Sequence, residues 1–341
     1  MYGLEAIPRP LIFGCAGVIL RSEERELFAD ANPYGFILFD RNINNPSQVR
    51  RLTNELRSAV RRPDAPVLVD QEGGRVARLG PPYWRQLPAA SQLVSQFGNN
   101  IEKACRAVFI NSRIIAYELS ELHITVDCMP VLDLATTGGH QVIGDRAYGE
   151  LPTHVAEFGR AACSGLLKGG VLPVIKHIPG HGRASSDSHV SLPFVQAKWE
   201  DLAQTDFLPF RALNDMPIAM TAHVVFTAID PKSPATTSPL VVGDIIRGEI
   251  GFEGLLMTDD ICMSALEGSP IERAEAALAA GCDVVLHCNG QLNEMVEIAD
   301  GVEAMAKLSW ERVLRAGEYQ DERGLPIDLA AAKQELATLL A

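Results

Sequence analysis

The sequence predicts an α/β fold, a single-domain (β/α)₈ TIM barrel, and three observations support this prediction. Eight short apolar runs are spread along the 341 residues, and eight is the number of strands in a closed parallel barrel. Amphipathic stretches separate the runs, and buried strands that alternate with helices are typical of a parallel sheet. No repeat, low-complexity segment or Pro/Ser-rich linker divides the sequence, so we expect residues 1–341 to form one domain.

The predicted strands are short apolar runs, as strands buried on both faces require. In chain order they are LIFGCAGVIL (11–20), GFILF (35–39), PVLVD (66–70), ITVDCMPVLD (124–133), LPVIKH (172–177), IAMTAHVVF (218–226), GLLMTD (254–259) and DVVLH (283–287). A doubly wound open sheet is the alternative fold. It normally carries a GxGxxG fingerprint after the first strand, and FGCAGVIL (13–20) is not one.

The predicted helices have apolar residues three and four positions apart. Examples are PSQVRRLTNELRSAV (46–60) and IERAEAALAAG (271–281), and the second ends in a glycine that is suited to a C-cap. From residue 325 onward the sequence predicts one closing helix.

The composition argues against several classes of partner. A formal net charge of −13 leaves no basic surplus for nucleic acid or an anionic membrane. The seven cysteines are odd in number and lack CxxC spacing, which favours reduced, buried thiols over a disulfide framework. The start MYGLEAIPRPLIF lacks a basic region followed by a long apolar run, and no apolar stretch approaches the length of a membrane span. We therefore expect a cytoplasmic protein.

Ionisable residues follow most of the predicted strands. These segments are FDRN, DQEGGRVARL, PVLD with IGDRAYG downstream, KHIPGHGRASSDSH, AHVVF, TDD and HCNG. In a parallel barrel the carboxyl ends of the strands meet at one face, where catalytic groups gather. The pattern therefore predicts one polar pocket at that face.

The segment KHIPGHGRASSDSH (176–189) admits three interpretations. A metal site would take its ligands from His177, His181, Asp187 and His189. Against a metal, the intervening IPG prevents a helix, and Lys176 and Arg183 would place positive charge beside the cation. A phosphate-binding loop would need GxxxxGK[ST], which GHGRASS does not match.

The third interpretation is a mobile catalytic loop. Asp187 can accept a hydrogen bond from the ring of His189 and raise the basicity of its other nitrogen. Glycines and serines from 180 to 189 would leave such a loop free to open and close. In TDDICMSAL, Asp259 and Asp260 follow a strand directly, and only one of them can point into the pocket. We expect the other to support the loop or to cap the next helix.

These motifs resemble those of family 3 glycoside hydrolases of the β-N-acetylglucosaminidase (β-hexosaminidase) branch. KHIPGHGRASSDSH is similar to that family's K-H-F-P-G-H-G-x₄-D-[ST]-H signature. The segments ILFDRNI, VDQEGGRVARL, PVLDL, IGDRAYG, TAHVVF and MTDDICM occur in the family's order, so the resemblance covers most of the chain. It implies a (β/α)₈ barrel and a retaining hydrolase. The single-domain cytoplasmic members cleave terminal β-linked N-acetylglucosamine from 1,6-anhydro-muramyl peptides in cell-wall (peptidoglycan) recycling.

The resemblance also implies roles for individual residues. Asp259 matches the nucleophile that forms a glycosyl-aspartate, His189 matches the general acid/base, and Asp187 matches the partner of His189. The residues that match the sugar-binding groups are Asp70, Arg78, Arg146, Lys176 and His177. The chain departs from the family pattern at Tyr148, Ile178, Thr258, Ile261 and Cys262. We expect no metal and no cofactor.

The implied substrate is a β-1,4-linked N-acetylglucosamine–anhydromuramyl peptide, and we expect a monomer with neither nucleic acid nor membrane as partner. A second hypothesis is a phosphorylase, in which phosphate attacks the same intermediate and Arg183 and Lys176 offer positive charge. A third is a non-catalytic amino-sugar-binding protein on the same scaffold.

Overall fold

The computed structural model describes residues 7–136, 142–184, 186, 191–319 and 324–341. Within these ranges no helix is long and apolar enough to cross a membrane. The seven cysteines are free thiols, and five of them are buried, in agreement with the sequence.

Eight parallel strands close into a barrel. They are β1 (Arg9–Gly14), β2 (Pro33–Leu38), β3 (Val67–Val69), β4 (Val126–Asp127), β5 (Leu172–Ile178), β6 (Ile218–Thr221), β7 (Leu255–Asp260) and β8 (Val284–His287). Each strand pairs with its neighbours in the sequence, and β8 pairs with β1. The predicted barrel is confirmed, and the open-sheet alternative is wrong because no strand of this sheet is left at an edge.

Alternate residues of each strand face opposite sides of the sheet and form two apolar layers. Ile12, for example, packs inside the barrel with residues such as Leu68 and Met257. Its neighbours Leu11 and Phe13 belong to the outer layer, which packs against the helices. Strands buried on both faces must be apolar throughout, which is why the sequence shows them as continuous runs rather than as an alternating pattern.

Helices surround the barrel. They are α1 (Ser22–Ala31), α2 (Pro46–Ala59), α3 (Ala90–Ser95), α4 (Ile101–Ser120), α5 (Pro152–Lys168), α6 (Trp199–Gln204), α7 (Phe207–Ala212), a π-helix (Val241–Glu249), α8 (Pro270–Ala280), α9 (Leu292–Gly301), α10 (Lys307–Glu318) and α11 (Leu329–Leu339). The predicted closing helix is α11, which begins four residues later than expected because Asp328 caps it, accepting from the Ala331 amide.

The two helices singled out in the sequence have local signals at their ends. Asn45 caps α2 by accepting a hydrogen bond from the Gln48 amide. Ser269 and Glu272 form a capping box at the start of α8, and Gly281 ends that helix at a φ of 109°. These signals fix where each helix starts and stops, and thereby the lengths of the loops at the carboxyl ends of the strands.

Candidate active site

A polar cavity of about 330 Å³ opens at the carboxyl ends of the barrel strands. Its lining includes Asp70, Arg78, Arg146, Lys176, His177, Asp259, Asp260 and Cys288. Six of these match the residues for which the sequence predicted a substrate or nucleophile role. The structure therefore brings together side chains that are widely separated along the chain.

A second, larger cavity of about 760 Å³ lies at the opposite end of the barrel, where the strands begin. Arg57, Arg61 and His123 line it, and none of its described lining residues is an aspartate or glutamate. Because it has no carboxylate for acid or nucleophilic chemistry, the smaller polar cavity is the candidate active site.

Lys176 is the centre of an ion-pair network on the floor of the active-site cavity. Its ammonium lies 2.8 Å from Asp70 Oδ1 and 2.7 Å from Glu72 Oε1. Glu72 also accepts two hydrogen bonds from the guanidinium of Arg146, at 2.8 and 2.9 Å. Arg78 donates to the other oxygen of Asp70 at 3.2 Å. The two carboxylates and three cations thus hold one another in fixed positions.

The charges in this network stabilise each other despite burial. Burial opposes the ionisation of Glu72, but Arg146 and Lys176 outweigh it and lower the pKa of Glu72. Burial would lower the pKa of Lys176, but Asp70 and Glu72 outweigh it and raise the pKa of Lys176. Both groups are therefore charged at neutral pH. Fixed charges of this kind can bind sugar hydroxyls without first reorganising.

Asp133 holds the end of β5 and the segment that follows it. Its carboxylate lies 2.6 Å from Nδ1 of His177 and accepts the backbone amide of His181, also at 2.6 Å. Burial disfavours the charge on Asp133, but His177 outweighs it and lowers the pKa of Asp133. Burial, assisted by His177, lowers the pKa of His181 to about 4, so His181 is neutral at pH 7.

Asp259 and Asp260 end β7 and differ in their partners. The carboxylate of Asp260 accepts the amides of Cys262 and Cys288 at 3.0 and 3.1 Å, which is the loop-supporting role expected for one member of the pair. Asp259 lines the cavity and, among the described residues, makes no ion pair; its carboxylate accepts the Asp260 amide at 2.8 Å. Burial would raise the pKa of Asp259, but His177 and His223 outweigh it and keep the pKa below its usual value.

His223 forms a hydrogen bond to the backbone at the end of β7. Its Nε2 lies 2.9 Å from the Asp260 carbonyl oxygen, and its Nδ1 lies 2.7 Å from Oγ1 of Thr236. Burial lowers the pKa of His223. The backbone that carries Asp259 is consequently held in place.

The first half of the segment 176–189 is packed and hydrogen-bonded. His181 and its glycine neighbours are buried, and a Cβ atom on Gly182 would lie 2.1 Å from the carbonyl oxygen of Leu134. Gly180 and Gly182 thus allow close packing in this conformation. The opening and closing of the loop stays a prediction. Asp187 and His189 lie outside the described residues.

Arg183 does not reach the sugar cavity. Its Nε donates to Oδ2 of the buried Asp206 at 2.6 Å, and its Nη2 donates to Oγ1 of Thr205 at 3.1 Å. The positive charge that the phosphorylase hypothesis assigned to Arg183 is thus committed to an ion pair beside the loop.

Sequence reasoning missed three residues of the site, namely Glu72, Asp133 and His223. Each lies in a segment that the sequence had marked as polar, DQEGGRVARL, PVLD and AHVVF. Their position after apolar runs was the available signal. Their roles could not be read from that position because each acts on a residue from a different strand or loop.

Comparison with protein families and known proteins agrees with this arrangement. The family model described as "Glycosyl hydrolase family 3 N terminal domain" matches residues 13–316. A β-hexosaminidase of Alkalilimnicola ehrlichii is 41% identical over 284 residues, which is 82% of this chain and 80% of that protein. A β-hexosaminidase of Chromobacterium violaceum is 35% identical over 351 aligned positions, covering 97% of each protein.

Solved structures show the same relationship. NagZ from Neisseria gonorrhoeae in complex with N-trifluoroacetyl-D-glucosamine superimposes with a TM-score of 0.87 at 34% identity, covering 99% of this chain and 100% of that chain. The family description and the relatives extend over most of the sequence, and the barrel is common to both structures. The chain therefore belongs to glycosyl hydrolase family 3 and is a β-N-acetylhexosaminidase of that family.

Proposed function

We propose that this protein is a retaining exo-β-N-acetylglucosaminidase that removes terminal β-1,4-linked N-acetylglucosamine from 1,6-anhydro-muramyl peptides in the cytoplasm. Asp259 is the nucleophile, His189 is the general acid/base, and Asp187 orients His189. This assignment rests on one observation, which is that the carboxylates at the cavity differ in their bonding partners. Asp259 is half-buried, ionised and without an ion pair among the described residues, whereas Asp70 and Asp260 are engaged elsewhere.

The first step uses these groups in a balanced displacement. A carboxylate oxygen of Asp259 attacks the anomeric carbon, the glycosidic carbon–oxygen bond breaks, and His189 gives a proton to the leaving oxygen. In the second step His189 takes a proton from water, whose oxygen displaces Asp259 from the sugar. Two displacements at one carbon retain its configuration.

The acid cannot come from the other carboxylates described at the cavity. Asp70 and Glu72 are bonded to Lys176, and Glu72 has a lowered pKa, so it carries no proton to donate at neutral pH. Asp260 accepts two backbone amides and is thereby committed to supporting the loop. An acid from the segment beyond Ser186 is the remaining source, and this supports His189.

The paired network supports recognition of the sugar. Asp70 presents acceptors, while Lys176, Arg78 and Arg146 present donors, and Glu72 behind them holds Lys176 and Arg146 in place. A cavity of about 330 Å³ suits one sugar ring better than an oligosaccharide, which favours release of single terminal residues. The N-acylated glucosamine bound by the Neisseria gonorrhoeae protein is consistent with an amino-sugar substrate.

The use of a histidine as the acid suits an anionic aglycone. The muramyl group and its peptide carry carboxylates, which a neutral imidazole repels less than a second Asp or Glu would. A His189→Glu variant is therefore expected to lose more activity on the anionic muropeptide than on a neutral aryl glycoside. Equal retention of activity on both substrates would contradict this reason for the histidine.

The test of the activity is a panel of substrates. We expect the 4-nitrophenyl N-acetyl-β-glucosaminide to be cleaved and the corresponding β-glucoside to be cleaved far more slowly. Proton NMR of the early product is expected to show the β-anomer. Mass spectrometry of a digested N-acetylglucosamine–anhydromuramyl peptide is expected to show free N-acetylglucosamine, and an intact muropeptide would contradict the proposed substrate.

The same assay separates the two other hypotheses. A phosphorylase would yield N-acetylglucosamine 1-phosphate in phosphate buffer, but the engagement of Arg183 with Asp206 and of Lys176 with Asp70 disfavours it. A non-catalytic binding protein would leave every glycoside intact. We also propose that the protein acts as a monomer, which size-exclusion chromatography with light scattering tests.

A further inference from the structure

Next to the sugar cavity lies a cluster of three side chains with metal-binding chemistry that catalysis does not use. A ligand atom from each of Cys262, His287 and Glu294 lies within 4.8 Å of the other two. We propose that these residues form a site for a divalent transition-metal ion of the zinc type. It is separate from the histidine-rich segment 176–189 and from the groups that hold the sugar.

The ligand set defines the class of ion. A thiolate, an imidazole and a carboxylate are the three kinds of ligand that zinc takes, at about 2.0–2.3 Å from the ion, whereas magnesium and calcium prefer oxygen alone. Tetrahedral coordination at these bond lengths brings ligand atoms to about 3–4 Å from each other. The three ligand atoms need to move only slightly closer together to reach that geometry. Water would occupy the fourth coordination position.

The fold places the three residues without help from the metal. His287 is the last residue of β8, Cys262 follows the end of β7, and Glu294 lies in the first turn of α9. Strands β7 and β8 are hydrogen-bonded neighbours, with Asp260 opposite Leu286, so their carboxyl ends are adjacent. Such a preformed site lowers the ordering cost of binding.

Glu294 is positioned and ionised. Its Oε2 lies 2.9 Å from Nε2 of His287 and accepts the side-chain amide of Asn289 at 2.7 Å. Burial opposes the charge, but the hydrogen bonds from His287 and Asn289 outweigh it and lower the pKa of Glu294. A carboxylate held by a neighbouring amide is what an oriented metal ligand requires.

His287 is buried, and one of its ring nitrogens is unpaired among the described residues. Its side chain is 1% exposed, and its Nδ1 has no hydrogen-bond partner among the described residues. Buried imidazole nitrogens are normally paired, so an unpaired one calls for an explanation. A ligand role for the ring provides one, because a neutral imidazole coordinates a metal through one of its nitrogens.

Binding exchanges a proton for the metal. The Cys262 S–H bond breaks, a metal–sulfur bond forms, and one proton passes to the buffer, while the imidazole stays neutral and the carboxylate stays charged. Burial and the neighbouring Asp260 raise the pKa of the Cys262 thiol to about 12, so the free protein keeps this proton. The affinity is set by competition between the metal and that proton.

The site is connected to the nucleophile but does not overlap with it. The amide of Cys262 and the amide of Cys288 both donate to Oδ1 of Asp260, the residue that follows Asp259. None of the three ligands lines the sugar cavity.

Cobalt(II) is the probe, because a thiolate ligand produces a charge-transfer band in the near ultraviolet and histidine-only binding does not. We expect the full-length protein to show this band at one equivalent of cobalt, and zinc to remove it by displacement. Cys262→Ser is expected to lose the band. Cys105→Ser, which alters a half-exposed cysteine on α4, is the matched control and is expected to keep it.

A second variant provides an independent test in case Cys262→Ser does not fold. Glu294→Gln keeps the size of the side chain but removes its charge, and we expect it to weaken cobalt binding about tenfold or more. In the unmodified protein, zinc is expected to protect Cys262 from alkylation, measured by peptide mass spectrometry. No charge-transfer band in the unmodified protein, a band that survives in Cys262→Ser, or Glu294→Gln affinity equal to that of the unmodified protein would overturn the assignment.

Discussion

The buried ammonium of Lys176 lies 2.7 Å from the carboxylate of Glu72, and together with Arg146 and Asp70 this contact keeps both groups charged. Glu72 has the Arg146 guanidinium as its second partner, at 2.8 Å. The pair therefore fixes two of the cations that face the sugar, although Glu72 does not line the cavity. This arrangement makes Glu72 a positioning residue whose loss affects stability and substrate binding together.

We expect Glu72→Gln to lower the free energy of unfolding by about 3–5 kcal/mol, because it leaves two buried cations with too little negative charge. The pKa of Glu72 is lowered on folding, so its contribution is present above its ordinary pKa of 4.5 and is lost as the pH falls below it. Urea unfolding from pH 7 to pH 3 measures this. The difference between the two proteins is expected to shrink below about pH 4.5.

The matched control for this prediction is Glu335→Gln. Glu335 also makes a two-bond contact with an arginine, Arg106, at 2.8 and 2.9 Å, but on the surface. Exposed pairs contribute little, so we expect only a small change in stability. Equal destabilisation by both substitutions would mean that burial is not what makes the Glu72 pair important.

We expect Asp259→Ala to lower kcat by on the order of 10⁴-fold or more on every substrate, because no other described carboxylate is placed to form the ester. A slow 2- or 5-fluoro sugar is expected to label Asp259, which peptide mass spectrometry detects. Asp260→Asn is the matched control. It disturbs the Cys262 and Cys288 amides and is expected to lower kcat less while Asp259 is still labelled. Labelling of Asp260 instead would reverse the assignment of the pair.

We expect His189→Ala to depend on the leaving group. A poor, natural leaving group needs protonation, so the loss is expected to be about 10²–10⁴-fold, whereas an activated aryl leaving group is expected to suffer less in the first step. The intermediate then accumulates because its hydrolysis lacks a base. Steady-state rates on aryl glycosides of graded leaving-group pKa, with and without azide, measure both effects.

Azide needs no base and is expected to accelerate turnover of His189→Ala. Asp187→Asn keeps the imidazole but loses its orienting charge, so it is expected to act in the same direction and less severely. An equal loss on good and poor leaving groups, with no response to azide, would make the segment 176–189 a substrate clamp rather than the source of the acid.

We expect EDTA to leave the glycosidase activity unchanged. The proposed chemistry needs a carboxylate nucleophile and an imidazole, and the charges around the sugar are supplied by Lys176, Arg78 and Arg146. Dialysis against EDTA followed by assay on the aryl N-acetylglucosaminide tests this. Loss of activity that zinc restores would bring back the metal interpretation of the segment 176–189.

The sequence by itself determined the parts of the fold that depend on local spacing. Apolar runs and amphipathic stretches alternate in chain order, so the eight strands of the barrel and the C-cap glycine of α8 could be located from periodicity and local residue type alone. The same spacing predicted different roles for Asp259 and Asp260, and the two residues do differ in their hydrogen-bond partners. The motif around them then indicated the family and its chemistry.

The tertiary structure decided which of these residues act on one another. Lys176 and Asp70 are 106 positions apart and meet because parallel pairing on either side of β4 brings the carboxyl ends of β3 and β5 to the same face. Asp133, in the segment after β4, holds His177 and the His181 amide, and residues 180 to 184 pack beside it. Cys262, His287 and Glu294 likewise form a cluster only through the register of β7 against β8. Local spacing encodes periodicity, whereas contacts between strand ends depend on closure and register, which only the folded barrel defines.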